Sequence, residues 1–552
     1  MTPSGPGGSA FWADWSISAR RKQAFRGYVS RPDRADPGGV RTDLRAYKPI
    51  INRELDGNLP WNGRPAQNHT VPAYGLDRAP GNVLYSAANM VTATRSKASR
   101  ASRKTSRKKP ARTYDSALKY LFSQTNYEQM LRVRYNRDTF SLKRMKGLMK
   151  SLGNPQKSIR TVHIAGTKGK GSTATMLARM LQACGHKVGL YTSPHISDIR
   201  ERIQVNGQKI TQIALTRLIC AAEPHIEKMA EDKPTFFEIF TAMAFCHFQK
   251  EEVDVAVVET GLGGRLDSTN VIKPSVCGFT SISIDHMQQL GPSLSKIAAE
   301  KAGIMKRSIP AVSVPQAPEA KRVLKRMAKE SQAQLMFTGE DIEFSYRVES
   351  SRQDGCHTRI CLTTPRSRFE HLPVPVLGEH QALNCGLALA LLDQLKDQGM
   401  AIDDQAAIKG LAKVYLPGRM EMISEDPRVL VDGAHNAASM HALMRAIGQH
   451  IPYDSMVMVF GCAGDKDIPG MIDQIATGAD KVIFTRAQQN ARAADPKDLA
   501  EVYEEHSGRV GQVTADVTEA ISVARSAVSR EDIIVVCGSF CLVGEAKKLL
   551  AN

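Results

Sequence analysis

HIAGTKGKGSTATM, residues 163–176, joins the apolar run TVHIAG to the helix-forming run STATMLARMLQACG. Glycines at 166, 169 and 171 let backbone N–H groups come close to an anion. The following helix points its positive end at the same place, and Lys170 adds a full charge. This is the chemistry of a phosphate cradle between a strand and a helix. The string departs from the general G-x-x-x-x-G-K-[ST] pattern at Ile164, which stands where the first Gly should be, and at Gly171, which separates Lys170 from Ser172. An ordinary glycine-rich turn is the competing reading.

Working outward, the strand KVGLYTS, a helical stretch through 212–250, the strands VDVAVVE and VCGFTSISI, and the helix SLSKIAAEKAGIM follow in turn. Upstream, YDSALKYLF and FSLKRMKGLMKSLG space their apolar residues as helices do. Strands alternating with helices predict a doubly wound, mainly parallel sheet of the P-loop type. A second alternating series starts near residue 417, with RVLVD, MVMVFG, KVIFTR and DIIVVCG as strands, and predicts a smaller Rossmann-like α/β domain. The expected organisation is a disordered basic extension over 1–112, a phosphate-binding central domain over 113–415 and a C-terminal α/β domain over 416–552.

The chain has 552 residues, 42% hydrophobic and 24% charged, with a net charge of +18. That surplus is local. Residues 1–112 hold 21 basic and 7 acidic side chains, which leaves only +4 for residues 113–552, so bulk charge does not assign a nucleic-acid or membrane partner to the folded part. The run 95–112 contains nine basic residues and no acid, as a solvated linker does. No apolar run is long enough to span a bilayer. The ten cysteines all follow residue 180 and lie mostly in apolar or helical segments, so they read as buried, reduced thiols of a cytoplasmic protein. Neither Cys356/Cys361 nor Cys537/Cys541 has zinc-site spacing.

The string GTKGKGS resembles the GTNGKGS phosphate loop of the folylpolyglutamate synthase/dihydrofolate synthase family, a branch of the Mur-type ATP-dependent amide ligases. The resemblance extends in order through YTSPH (191–195), RERIQVNG (200–207), TFFE (235–238), ETGLGGRLDSTN (259–270), DHMQQLG (285–291), EKAGIMK (300–306), HQALN (380–384), LPGRMEM (416–422), DGAHN (432–436), GDKDIPGM (464–471) and GSFCLVGE (538–545). It implies that Gly169, Lys170, Gly171 and Ser172 contact the ATP phosphates, and that Asn384, Arg419 and Asp432 complete the ATP site. Ser193, Glu259 and His286 match the family's magnesium positions. Lys301, whose competing reading is a solvated helix lysine beside Glu300, is implied to be carbamylated and to help hold a second magnesium. Lys170, His286 and Lys301 are the expected catalytic groups. Thr235, Phe236, Phe237 and Glu238, with Leu266, Asp267 and Ser268, match segments that line a pteroate pocket, although a Phe at the start of a buried helix is also an ordinary core residue. His435 resembles a further cleft residue.

Three positions depart from the family pattern: Lys168 replaces Asn, Ser268 replaces Ala and Ala437 replaces Pro. The implied activity is ATP- and Mg-dependent addition of L-glutamate to dihydropteroate or to reduced folate, through an acyl phosphate, by a monomer. The neighbouring reading is a Mur-type ligase acting on a cell-wall precursor; Gly171, TSPH and LDSTN favour the folate branch. A nucleotide-dependent nucleic-acid-binding protein is the reading from another class. It would need a basic face on the folded part, so nucleic-acid contact is expected only weakly, from the tail.

Overall fold

The computed structural model describes residues 112–130, 140–229, 231–351, 355–488 and 490–550. Apart from Arg112, the expected basic extension lies outside them. Arg112 forks onto Glu223, with Nε and one terminal nitrogen each 2.8 Å from a carboxylate oxygen, and so belongs to the folded region.

The run VHIA becomes β1 (Arg160–Ala165), the middle of an eight-stranded sheet with β2 (Val188–Tyr191), β3 (Ile203–Val205), β4 (Gln208–Lys209), β5 (Val255–Glu259), β6 (Val276–Phe279), β7 (Ala311–Ser313) and β8 (Leu335–Phe337). The order is β4-β3-β2-β5-β1-β6-β7-β8. From β2 to β8 all neighbours are parallel, while β3 and β4 add an antiparallel edge. The near-continuous Val, Ile and Ala of β1 and β5 suit strands covered on both faces. Because the chain leaves β1 for β2 on one side and reaches β6 on the other, the carboxyl end of β1 is a topological switch point, where such folds bind ligands.

The 19-residue helix Glu379–Asp397 is apolar nearly all round and is buried against the helix Lys170–Ala183, β6 and a further sheet. That sheet is antiparallel, built from β9 (Glu343–Ser351), β10 (Gly355–Thr363) and β11 (Arg368–Val374), and the alternating-strand reading did not include it. The stretch read as helical over 212–250 is two helices, Gln212–Glu227 and Phe236–Lys250. The second starts afresh at a capping box in which Thr235 and Glu238 exchange hydrogen bonds.

The second α/β unit has β12 (Glu421–Glu425), β13 (Arg428–Val431), β14 (Met456–Phe460), β15 (Lys481–Phe484), β16 (Gln512–Val513) and β17 (Ile533–Cys537), in the order β12-β13-β17-β14-β15-β16. All pairs but β12–β13 are parallel. Among the described residues no helix is long and apolar enough to cross a membrane. Cys277, Cys385, Cys462 and Cys537 are buried, as expected, but Cys541 is exposed: it lies on a helix face that the core does not cover.

Candidate active site

The phosphate loop leaves β1 where Ile164 pairs with Glu259, the last residue of β5. Two of its glycines are required by space and conformation together. Gly166 has φ +153°, and a Cβ there would lie 1.8 Å from Thr280 Oγ1; Gly169 has φ +82°, and its Cβ would meet Asn384 Oδ1 at 2.1 Å. The helix then begins at Lys170, whose Nζ donates to the Thr167 carbonyl at 3.4 Å and lies 3.9 Å from Glu259 Oε1. Two buried polar atoms beside it have no protein partner, Ser172 Oγ and Lys168 Nζ. Burial among neighbouring cations pushes the Lys168 ammonium down to about 7.

Glu259 is buried, and its Oε2 accepts the Ser193 N–H at 3.0 Å. A Cβ on Gly171 would touch the same oxygen at 3.2 Å, so the carboxylate lies against the phosphate loop. Burial raises its pKa, with Lys170 opposing. His286 takes a left-handed φ of +51° at the start of the short helix Met287–Leu290. Burial and the charge of Lys466, with those of Lys301 and Lys170 nearby, hold its imidazole neutral, down to about 3. Glu259 and the unpartnered Ser172 Oγ both lie at the phosphate loop, but among the described residues no group of three or more His, Cys, Asp or Glu could hold a metal ion, so a hard cation here would draw on one carboxylate and on hydroxyl and phosphate oxygens.

Lys301 is not a solvated helix lysine. It is 4% exposed, and its Nζ donates to the Gly166 carbonyl at 2.8 Å, directly under the phosphate loop. Burial, then Lys170, push its ammonium down to about 7. Glu300 instead pairs with Arg265, with Oε1 2.7 Å from its guanidinium.

The second sheet contributes from the far side. The Arg419 guanidinium lies 4.4 Å over the Phe540 ring, and burial lowers its pKa against the charges of Asp432 and Glu259. Asp432 spends both oxygens on backbone, accepting Met420 N–H at 2.9 Å and Ala434 N–H at 2.8 Å, and so braces the turn that aims Arg419. The His435 ring donates from Nδ1 to the Gly433 carbonyl at 2.8 Å, which leaves Nε2 as an acceptor. Asn384, expected to complete the ATP site, has its amide packed against Gly169 of the phosphate loop.

The expected pteroate residues divide. Phe236 is 1% exposed and stacks between Phe122 at 5.5 Å and Phe240 at 5.9 Å, so it is core. Thr235 and Glu238 form the helix cap, and Glu238 also takes Arg144 Nε at 2.7 Å. Asp267 staples its own loop, accepting Leu262 N–H at 2.9 Å and the Thr269 N–H at 3.0 Å. Phe237 is the aromatic that reaches the site: its ring covers Gly261, two residues after Glu259. Leu266 and Ser268, on either side of Asp267, are partly exposed.

Residues without a sequence assignment also converge here. Arg202 is buried, grips Glu128 at 2.8 and 2.7 Å and donates from Nε to His195 at 2.9 Å. Asp285 bonds Lys466 and Asn436 from the second sheet. Asp285 stands beside His286 in DHMQQLG and Asn436 beside His435 in DGAHN, whereas Lys466 in GDKDIPGM and Arg202 in RERIQVNG had no neighbour with an assigned role.

Comparison with known proteins agrees with this geometry. Residues 164–392 match the Mur ligase middle domain, and residues 418–540 match the Mur ligase glutamate ligase domain. Fold and site together therefore define an ATP-dependent amide ligase of the Mur type. The dihydrofolate synthase/folylpolyglutamate synthase of Bacillus subtilis is 35% identical over 414 residues, covering 74% of this chain and 94% of the relative. The chain belongs to the folylpolyglutamate synthase/dihydrofolate synthase family. Among solved structures, Mycobacterium tuberculosis folylpolyglutamate synthase complexed with ADP and AMPPCP matches with TM-score 0.70 and 34% identity, over 75% of this chain and 96% of that one. Escherichia coli FolC in complex with DHPP and ADP matches with TM-score 0.67 and 30% identity, over 80% of this chain and 98% of that one.

Proposed function

We propose that this ligase acts in folate metabolism, joining the α-amino group of L-glutamate to the carboxylate of dihydropteroate, of reduced folate (poly)glutamate, or of both. A carboxylate oxygen attacks the γ-phosphorus of ATP, the bond to the β,γ-bridging oxygen breaks, and ADP leaves. The glutamate amine then adds to the carbonyl carbon of the acyl phosphate, gives up a proton and expels phosphate.

One observation carries the reading: charged groups from both sheets, Lys170 and Glu259 from one and Arg419 from the other, converge at a single phosphate loop. In this scheme Lys170, with the N–H groups of Gly169, Gly171 and Ser172, aligns the phosphates. Asn384 holds the loop from behind, while Arg419 and Asp432 receive the nucleotide from the second sheet. Ser193, Glu259 and His286 would hold magnesium, with a second ion at a carbamylated Lys301. Bound there, magnesium neutralises charge on the phosphates. In that modification the Lys301 amine adds to carbon dioxide with loss of a proton, and its burial and lowered proton affinity support the reading. Phe237, Leu266, Ser268 and His435 face the acceptor side, and closure of the second sheet keeps water from the acyl phosphate. The reading includes a monomer in the reducing cytoplasm, in keeping with the nine free cysteines among the described residues.

The test is phosphate release by the purified protein with ATP and glutamate, comparing dihydropteroate with reduced folate as acceptor. Turnover of a nucleotide-sugar acceptor with neither folate accepted would overturn the reading.

A further inference from the structure

Asp285 lies in the loop after β6, one residue before His286, and its side chain is 6% exposed. Both carboxylate oxygens are used across the boundary between the two α/β units. Oδ1 accepts Lys466 Nζ at 2.9 Å as well as the His286 N–H at 2.8 Å. Oδ2 accepts Asn436 Nδ2 at 2.7 Å and lies 3.9 Å from His435 Nε2. Lys466 and Asn436 stand on separate loops, after β14 and after β13. One buried carboxylate thus holds two loops of the second sheet at a fixed distance from the residue that follows it.

The charges around it give the contact a sign. Lys466, itself 8% exposed on its side chain, and the buried Lys168 Nζ are both close enough to Asp285 to interact with its charge, and Lys168 also feels Lys170 and Arg419. Without the carboxylate these cations would face one another with little water between them, and like charges at such range repel by more than an exposed pair does. A hydrogen bond alone would not reverse that repulsion.

We infer that Asp285 is a positioning residue, an anionic latch that closes the second sheet over the phosphate loop and so couples domain closure to formation of the reaction centre. The inference rests on the proposed ligase reading for its choice of substrates. The latch itself needs only nucleotide to be tested.

The experiment compares wild type with Asp285→Asn, Asp285→Glu, Lys466→Met and the double variant Asp285→Asn/Lys466→Met. With a non-hydrolysable ATP analogue and magnesium, small-angle scattering is expected to show a larger radius for Asp285→Asn than for wild type. In turnover its kcat should fall at least about tenfold and the KM for ATP should rise. Lys466→Met adds no unpaired buried cation, so it should fold if Asp285→Asn does not, and it should open the cleft too. The double variant should be less impaired than Asp285→Asn, because the repulsion between Lys466 and Lys168 is gone, and Asp285→Glu should recover part of the activity. Wild-type scattering and kinetics in Asp285→Asn and Lys466→Met, with only the melting temperature lowered, would overturn the latch. If wild type turns over no folate acceptor, the ligase reading fails, while scattering still decides the latch.

Discussion

Lys170 Nζ stands 3.9 Å from Glu259 Oε1 at the mouth of the phosphate loop, and the other oxygen of that carboxylate is already occupied by the Ser193 N–H. The lysine is therefore close to its counter-ion yet not locked to it, a spacing that leaves its charge free for an incoming phosphate.

Replacing Lys170 by Ala is expected to leave the fold intact and lower ligation about a hundredfold or more. Loss of a few kcal/mol of transition-state stabilisation produces a drop of that size. Circular dichroism and steady-state turnover check it; a variant retaining more than about a tenth of wild-type turnover removes Lys170 from the phosphate site.

Lys301→Ala should cut turnover severely, since the amine sits under the loop at the Gly166 carbonyl rather than in solvent. If Lys301 carries a carbamate, short carboxylates added to the buffer should restore part of the rate by filling the vacated anion position. Density for a carboxyl group on Nζ in a crystal with ATP and magnesium is the direct check. An unmodified Lys301 together with a fully active Ala variant sinks the modification.

The two adjacent phenylalanines should separate under mutation. Phe236→Ala removes a ring packed between Phe122 and Phe240 and is expected to cost about 3–5 kcal/mol of stability. Phe237→Ala should cost less and instead raise the KM for the folate acceptor. Denaturant melts and acceptor titrations on both proteins decide; equal effects on stability and none on KM would move Phe237 into the core as well.

His163 supplies a pH prediction. It is fully buried with Nε2 2.8 Å from Thr269 Oγ1, and burial holds its pKa well below 6.5. The unfolded chain takes up this proton first as pH falls. Stability from the neutral ring is thus fully present above about pH 6.5 and declines below it, with a slope of up to about 1.4 kcal/mol per pH unit. His163→Gln should flatten that slope between pH 6.5 and 5. An unchanged profile would mean that other groups control the acid limb.

The parallel strands were legible because β-branched runs such as VDVAVVE end at glycine-rich or charged turns, and the phosphate loop was legible because its glycines and lysine are contiguous. The strands β9–β11 were not, since one face of each packs on the helix Glu379–Asp397 and their alternation is short and mixed with charge. The break near residue 230 lies in an otherwise helical composition, with the Thr235 cap as its sign. Burial of Lys301 and the Asp285–Lys466 contact depend on segments far apart in sequence, which no local pattern reports. Arg202 received no role within RERIQVNG, yet it is among the most buried side chains.

Glu259 is the last rung of β5 and pairs with Ile164, so the acidic group at the phosphate loop belongs to the sheet and not to any connecting segment. The segment over 261–267, by contrast, is loop. Reaction and recognition are thus built on different kinds of element, a strand and a connecting segment. An engineer could transplant the acceptor-facing segment from a relative with a different folate preference and keep the phosphoryl chemistry of this scaffold, because the graft would leave every hydrogen-bonded rung beneath it in register.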